Sequence, residues 1–211
     1  MDLAVHPGNR ARFWDRVVSA LKRRPSHPGH HSARITPLST RTARAQRLDE
    51  AFEAGWTECE QRRVSMAVVA IEVDRFREYG RAYGPVAAEN CLVAVGNAVR
   101  AALPRSDDFL GRHAGSTFVI VLPDFPMLMA QAAAQKIAAA VAEAGLTHKE
   151  SHRGQVTVSV GVAMTNPLGE IDRNVLTVAQ AALERARARG LNRIETIDMR
   201  PHQKARRRGA A

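Results

Sequence analysis

Along this chain, stretches with apolar residues at helical spacing alternate with short runs that are apolar throughout or at every second position. Residues 9–24 place Phe13, Trp14, Val17, Val18 and Leu21 at helical spacing, behind Asn9 as a cap, with arginines and Lys22 filling much of the rest. A basic amphipathic helix is expected there. Pro25–Ser32 is rich in Pro, His, Gly and Ser and reads as a linker. Leu48, Phe52 and Trp56 predict one face of a helix over 41–62, and Ser65–Asp74 predicts a buried strand running into a turn. Val86–Leu103 predicts a second long helix with Leu92, Val95 and Val99 inward. Phe109–Arg112 and Thr117–Leu122, around His113-Ala114-Gly115-Ser116, predict a hairpin. Phe125–Ala144 is an Ala-rich helix, and Gln155–Ala163 is a strand whose Val156, Val158, Val160 and Val162 share a face. Asn174–Arg189 is a helix stopped by Gly190, and Ile194–Ile197 is a closing strand. That order predicts an α+β sandwich: one mainly antiparallel sheet with helices on its faces.

The length of 211 residues suits one domain with appendages. The net charge of +10 is unevenly spread. Residues 1–32 hold six Lys/Arg and two Asp, and 200–211 hold five Lys/Arg and no acid, leaving 20 basic and 19 acidic residues between them. The boundaries expected are therefore a basic helix and linker over 1–32, a nearly neutral domain over 33–199 and a basic tail over 200–211. Such arms suit an anionic membrane surface, nucleic acid or an acidic protein. No helix-turn-helix, zinc or aromatic-platform signature accompanies the charge, so specific nucleic-acid recognition is not expected. His27, His30 and His31 have no carboxylate or thiol beside them and do not suggest a metal site. Two cysteines, Cys59 and Cys91, make neither a disulfide scaffold nor a four-thiolate zinc site. With no apolar run near the ~18 residues of a membrane span and no signal-peptide core, a cytoplasmic protein is expected.

Several motifs then fall in one order. Ile35-Thr36-Pro37-Leu38 is followed by Arg41; Glu72-Val73-Asp74-Arg75-Phe76-Arg77 ends the first strand, with Tyr83-Gly84 beyond it. Val156–Ala163, Ala182-Leu183, Ala186-Arg187, Gly190 and Asn192-Arg193 complete the series. In order and spacing they resemble the GGDEF family, the diguanylate cyclase domain, over roughly residues 33–197. Thr40 and Ala33 depart from that family's opening motif. The resemblance implies a nucleotidyl-cyclase-like sandwich with a central five-stranded sheet.

The hairpin signature differs most. Active members of the family carry Gly-Gly-(Asp/Glu)-Glu-Phe, whereas this chain has Ala114-Gly115-Ser116-Thr117-Phe118. Joining two GTP molecules is phosphoryl transfer and calls for a divalent metal on carboxylate oxygens. The resemblance puts those carboxylates at Glu72, one methylene longer than the usual Asp, and at Ser116, with Thr117 also neutral. It places guanine recognition at Gly80 and Glu89, and phosphate recognition at Arg187 and Leu191. A vestigial nucleotide site at Glu72, Gly80, Glu89, Gly115 and Arg187 is expected, with no enzymatic activity, no cofactor and no Mg²⁺. A compensating acid such as Asp74 is not expected to move in.

The family's product-binding Arg-x-x-Asp is matched by Arg105-Ser106-Asp107-Asp108, five residues before Ala114. Arg105 can grip phosphate or stack on guanine, and Asp108 can accept from a guanine edge. Arg112 is a further phosphate contact, and His113 is expected to pack. The resulting expectation is a cyclic di-GMP-responsive adaptor, with a protein partner at the 9–24 helix, a homodimer and a peripheral anionic-membrane contact as its associations. The alternatives are a scaffold using the fold and basic tails for protein interaction, and a residual cyclase.

Overall fold

The computed structural model describes residues 41–200. The expected helix at 9–24, the linker, the opening motif through Thr40 and the tail beyond Arg200 lie outside the described residues. Within them run α1 (Arg41–Arg62), β1 (Met66–Val73), α2 (Phe76–Ala102), β2 (Phe109–Ala114) and β3 (Thr117–Pro123). They are followed by α3 (Met127–Glu143), β4 (Val158–Thr165), α4 (Asn174–Ala188) and β5 (Ile194–Asp198).

The five strands form one sheet in the order β2-β3-β1-β4-β5. The central strand β1 pairs antiparallel with both β3 and β4, β2 pairs antiparallel with β3, and only β4–β5 is parallel. Because β1 is covered on both faces, it reads as an almost continuous apolar run, Met66-Ala67-Val68-Val69-Ala70-Ile71. Its alternate residues feed two cores. Val69, Ile71 and Val73 pack with Ile120, Leu122, Val158, Val160 and Val162 beneath α2 and α3. Val68 and Ala70 pack with Val119, Val121 and Ala163 beneath α1 and α4, where Leu48, Phe52 and Trp56 supply the α1 stripe. The shared face expected of Val156, Val158, Val160 and Val162 is present in the first core.

Two elements differ from their sequence expectation. The helix expected from Val86 begins ten residues earlier, at Phe76, and kinks at Gly84, whose φ of 83° and ψ of 169° are not helical. Pro85 has no N–H to give the preceding turn, so the helix restarts there and its apolar period is interrupted. The strand expected from Gln155 begins at Val158 and reaches Thr165; Gln155 instead bridges back to Thr147.

This topology gathers chemistry at one end of the sheet. Glu72, near the end of β1, faces Thr117 on one neighbour and Ser159 on the other. The β2–β3 turn is tied to the same end, where Val73 N donates to Ser116 O at 3.3 Å. On α4, Ala179 and Leu183 press directly on Gly161 of β4, a contact only a residue without Cβ allows. That close approach brings Arg187, one turn on, over the end of β1.

Candidate functional site

Glu72 is the acid at the hairpin. Arg187 Nη1 donates to its Oε2 at 2.5 Å, and Ser116 Oγ sits a long 3.5 Å from its Oε1. The Glu72 side chain is largely buried and that of Arg187 partly exposed. Arg187 Nε is buried without a hydrogen-bond partner. Its guanidinium is thus held by one carboxylate, with donor capacity left over.

A second ion pair flanks the turn. Arg112 Nη1 donates to Glu89 Oε1 at 2.6 Å, and Arg112 Nε donates to Gly115 O at 2.8 Å. Gly115 takes φ 52° at the turn, the left-handed region that glycine adopts without strain. Gly80 leaves a gap on α2, where a Cβ would meet only Ala88 Cβ, at 3.9 Å. The position lacks a functional group but not the room for one.

Beneath the site, Asp74 is buried and fully engaged. Thr157 Oγ1 and Ser159 Oγ each donate to its carboxylate at 2.7 Å, and Asn192 N donates at 2.8 Å. Three donors delocalise its charge and fix the end of β1 to β4 and to the turn after α4. Asp74 is therefore a structural tie, and its carboxylate is not available to a ligand.

A divalent cation of the kind phosphoryl transfer uses takes oxygens from negatively charged groups and is repelled by a guanidinium. The hairpin offers Ser116 and Thr117 in place of acids, and Arg187 already neutralises Glu72. These residues do not fit such an ion.

With this geometry in view, the chain can be placed among known proteins. The family model "Diguanylate cyclase, GGDEF domain" matches residues 34–193. The chain belongs to the GGDEF family. Diguanylate cyclase A of Treponema denticola is 25% identical to this GGDEF domain over 134 residues, 64% of the chain and 36% of that protein. Diguanylate cyclase DosC of Escherichia coli is 29% identical over 130 residues, 62% of the chain and 28% of that protein. The chain thus spans about a third of the length of these curated relatives. The GGDEF domain of DgcB from Caulobacter crescentus, solved in complex with c-di-GMP, aligns with a TM-score of 0.65 and 21% identity, over 82% of the chain and 98% of that domain. These findings overturn the expectation that the chain is not an enzyme. The altered hairpin does not remove it from a family of cyclases, and its curated relatives are diguanylate cyclases.

Of the residues singled out from the sequence, Glu72, Ser116, Thr117, Gly115 and Arg187 do meet at the hairpin end of the GGDEF domain, with Glu89 beside them. Arg112 belongs with them too, and not with Arg105. Arg112 pairs with Phe118 across the hairpin, whereas Arg105 Nη2 donates to Pro123 O at 2.7 Å, five strand positions away. At ~3.4 Å per residue that is roughly 17 Å, so the two cations serve opposite ends of the hairpin. Asp108 is buried rather than presented. Arg105 Nε donates to its Oδ1 at 2.8 Å and Arg105 N to its Oδ2 at 3.0 Å. Burial pushes the Asp108 carboxyl above its usual range, against the pull of Arg105. Arg105 itself remains partly exposed, its guanidinium 5.5 Å from the centre of the Phe125 ring. His113 borders a cavity of about 450 Å³ between α1 and α4, so its side chain is not packed away as expected. Among the described residues no helix is long and apolar enough to cross a membrane.

Sequence reasoning passed over the segment 147–154. His148 is fully buried there, and its Nε2 donates to Arg75 O at 3.2 Å while its ring meets Tyr79 edge-on at 5.2 Å between centroids. The segment has neither helical nor strand period, and only its two histidines, four apart, set it off.

Proposed function

We propose that this GGDEF domain is a guanine-nucleotide-responsive module of the cyclic di-GMP signalling system, and that its nucleotide binds at the hairpin end of the sheet. The reading rests on the two ion pairs that flank the turn. Arg187–Glu72 and Arg112–Glu89 each hold a partly exposed guanidinium on one carboxylate. A phosphate offers the same charge and the same forked geometry as a carboxylate, so it can exchange with the acid at either arginine. Glu89, once released, can accept from the N1 and N2 donors of guanine. The arginines, not a metal ion, carry the phosphate charge in this reading.

Cyclic di-GMP has a second candidate contact in Arg105. Its guanidinium is held in place by Asp108 and Pro123 O, so phosphate or guanine meets a pre-oriented cation. Asp108 acts there by positioning Arg105 and does not touch the ligand.

The test is calorimetric titration of the purified full chain with GTP and with cyclic di-GMP, each with Mg²⁺ and with chelator, the samples then being chromatographed for cyclic dinucleotide. Binding of GTP in chelator is expected, with at least a tenfold loss in Arg187→Ala, about 1.4 kcal/mol. Arg105→Ala is expected to weaken cyclic di-GMP and spare GTP. Absence of binding by either nucleotide, or GTP affinity unchanged in Arg187→Ala, would refute the reading.

A further inference from the structure

On the α1/α4 face of the sheet the two helices stand apart. α1 packs over β2 and β3, and α4 over β4 and β1, drawn close to β4 by the missing Cβ of Gly161. The cleft of about 450 Å³ between them is floored by Val68, Ala70 and Val119, with Leu48 on one wall and Leu176 on the other. Packed protein layers leave few voids larger than a water molecule, so a space of this size suits an occupant. It falls within the ~300–1,000 Å³ of pockets that take small ligands. We infer that the cleft binds one neutral, largely apolar small molecule carrying a hydroxyl or carbonyl at one end. This pocket is separate from the nucleotide site proposed above, whose arginines lie outside its lining.

The end of the cleft away from the hairpin is tied shut. Arg173, just before α4, donates to Asp49 and, at 2.7 Å, to Glu53 of α1. Trp56 Nε1 donates to Gly169 O at 3.3 Å, and Gly169 N donates to Glu60 Oε1 at 2.7 Å. These contacts set the spacing of the walls and leave the opening toward His113 and Ala114 of the hairpin. Polarity then changes with depth. Val68, Ala70, Val119 and Leu48 are buried and offer water no hydrogen-bonding partner. The polar groups stand at the rim, where His113 and Thr177 are exposed and Thr117 and Gln180 half-buried. Among the described residues no carboxylate, guanidinium or ammonium borders the space, so an ionic ligand would leave its charge unpaired there. An apolar body can instead displace water from the floor while its hydroxyl or carbonyl meets the Thr117 hydroxyl or the Gln180 amide. A ligand so placed bridges the hairpin strand β3 and the helix that carries Arg187, two turns beyond Gln180.

Two measurements test this on the full chain. The first titrates wild type, Thr177→Trp and Thr177→Ser with prodan, a neutral naphthalene ketone whose emission shifts to the blue in apolar surroundings. Thr177 is exposed on α4, so the fold is expected to persist in both variants, checked by circular dichroism. Saturable binding of one dye per chain is expected in wild type, with at least a tenfold loss in Thr177→Trp, whose indole fills the cleft, and little change in Thr177→Ser. Absence of saturable binding by wild type, binding of several dyes per chain, an affinity unchanged in Thr177→Trp, or equal losses in the two variants overturns the pocket. The second needs no variant. Methyl NMR of wild type during the same titration is expected to shift Val119 and Leu176 and to spare Val160, which packs on the opposite face of the sheet. Shifts confined to Val160 and its neighbours, or spread evenly over both faces, overturn the pocket as well.

Discussion

Gly161→Ala is the substitution whose cost can be worked most directly from the structure. A Cβ at 161 would lie 2.1 Å from Leu183 N, 2.3 Å from Ala179 O and 2.7 Å from Leu183 Cα. All three are backbone atoms of α4, so no side chain can rotate out of the way. The helix must retreat from β4 by roughly 1 Å or the strand must bend, and tightly packed layers yield to neither cheaply. Overpacking against side chains costs typically ~1–3 kcal/mol, so a clash with helix backbone belongs at the top of that range or above, about 3 kcal/mol. For a domain of this size that corresponds to a fall in Tm of roughly 6–12 °C. The same retreat pulls Arg187 away from Glu72, so GTP affinity should fall together with stability. Thermal unfolding followed by circular dichroism, with GTP calorimetry well below Tm, measures both. A Tm within 2 °C of wild type would show that α4 does not press on β4 as described and would remove the basis for placing Arg187 at the hairpin.

Two further outcomes follow from the buried titratable groups. The Asp108 carboxyl is raised above its ordinary value of 3.8 by burial, so the native state holds its proton more tightly than the unfolded chain does. Its contribution is complete below pH 3.8 and is lost as the pH rises through the higher native pKa; the stability of wild type relative to Asp108→Asn should therefore decline over that window in urea titrations, and a rise would contradict the burial. Cys59 and Cys91 are buried, and burial raises both thiols above 9.0. An aromatic disulfide reagent at pH 8 should modify neither in the folded chain and both in denaturant, whereas rapid reaction of one in the folded chain would show that its core opens locally.

The sheet was legible because its strands announce themselves through burial. Val156, Val158, Val160 and Val162 alternate along one face, and β1, covered on both sides, has no polar residue until Glu72. The turn at Gly115 was equally plain. The first turns of α2 were hidden by Gly84-Pro85, whose local chemistry signals a break that the fold absorbs as a kink. At the site, sequence spacing identified the residue types but not their partners. The pairing of Arg112 with Glu89 spans 23 positions and exists only once β2 lies beside α2. Arg-x-x-Asp spacing looks the same whether the acid is presented or buried; what buries Asp108 is its enclosure by its own turn, with Arg105 laid across it toward Pro123 and Phe125. The 147–154 segment acquires meaning only through contacts with residues of the first turns of α2 and just before it, Arg75, Tyr79 and Tyr83, more than sixty residues earlier.

The ties of Asp74 also bear on how the chain is made. Its three donors come from 83, 85 and 118 residues further along. A ribosome that has just finished β1 has produced a carboxylate destined for the interior, with none of its partners yet in existence. Closure over that charge must wait for Thr157 and Ser159, because a buried carboxylate without donors costs several kcal/mol, and the third tie waits until Asn192 has left the exit tunnel. The hairpin end of the sheet is therefore completed late in synthesis, and a chain cut short before Asn192 keeps that end open to water.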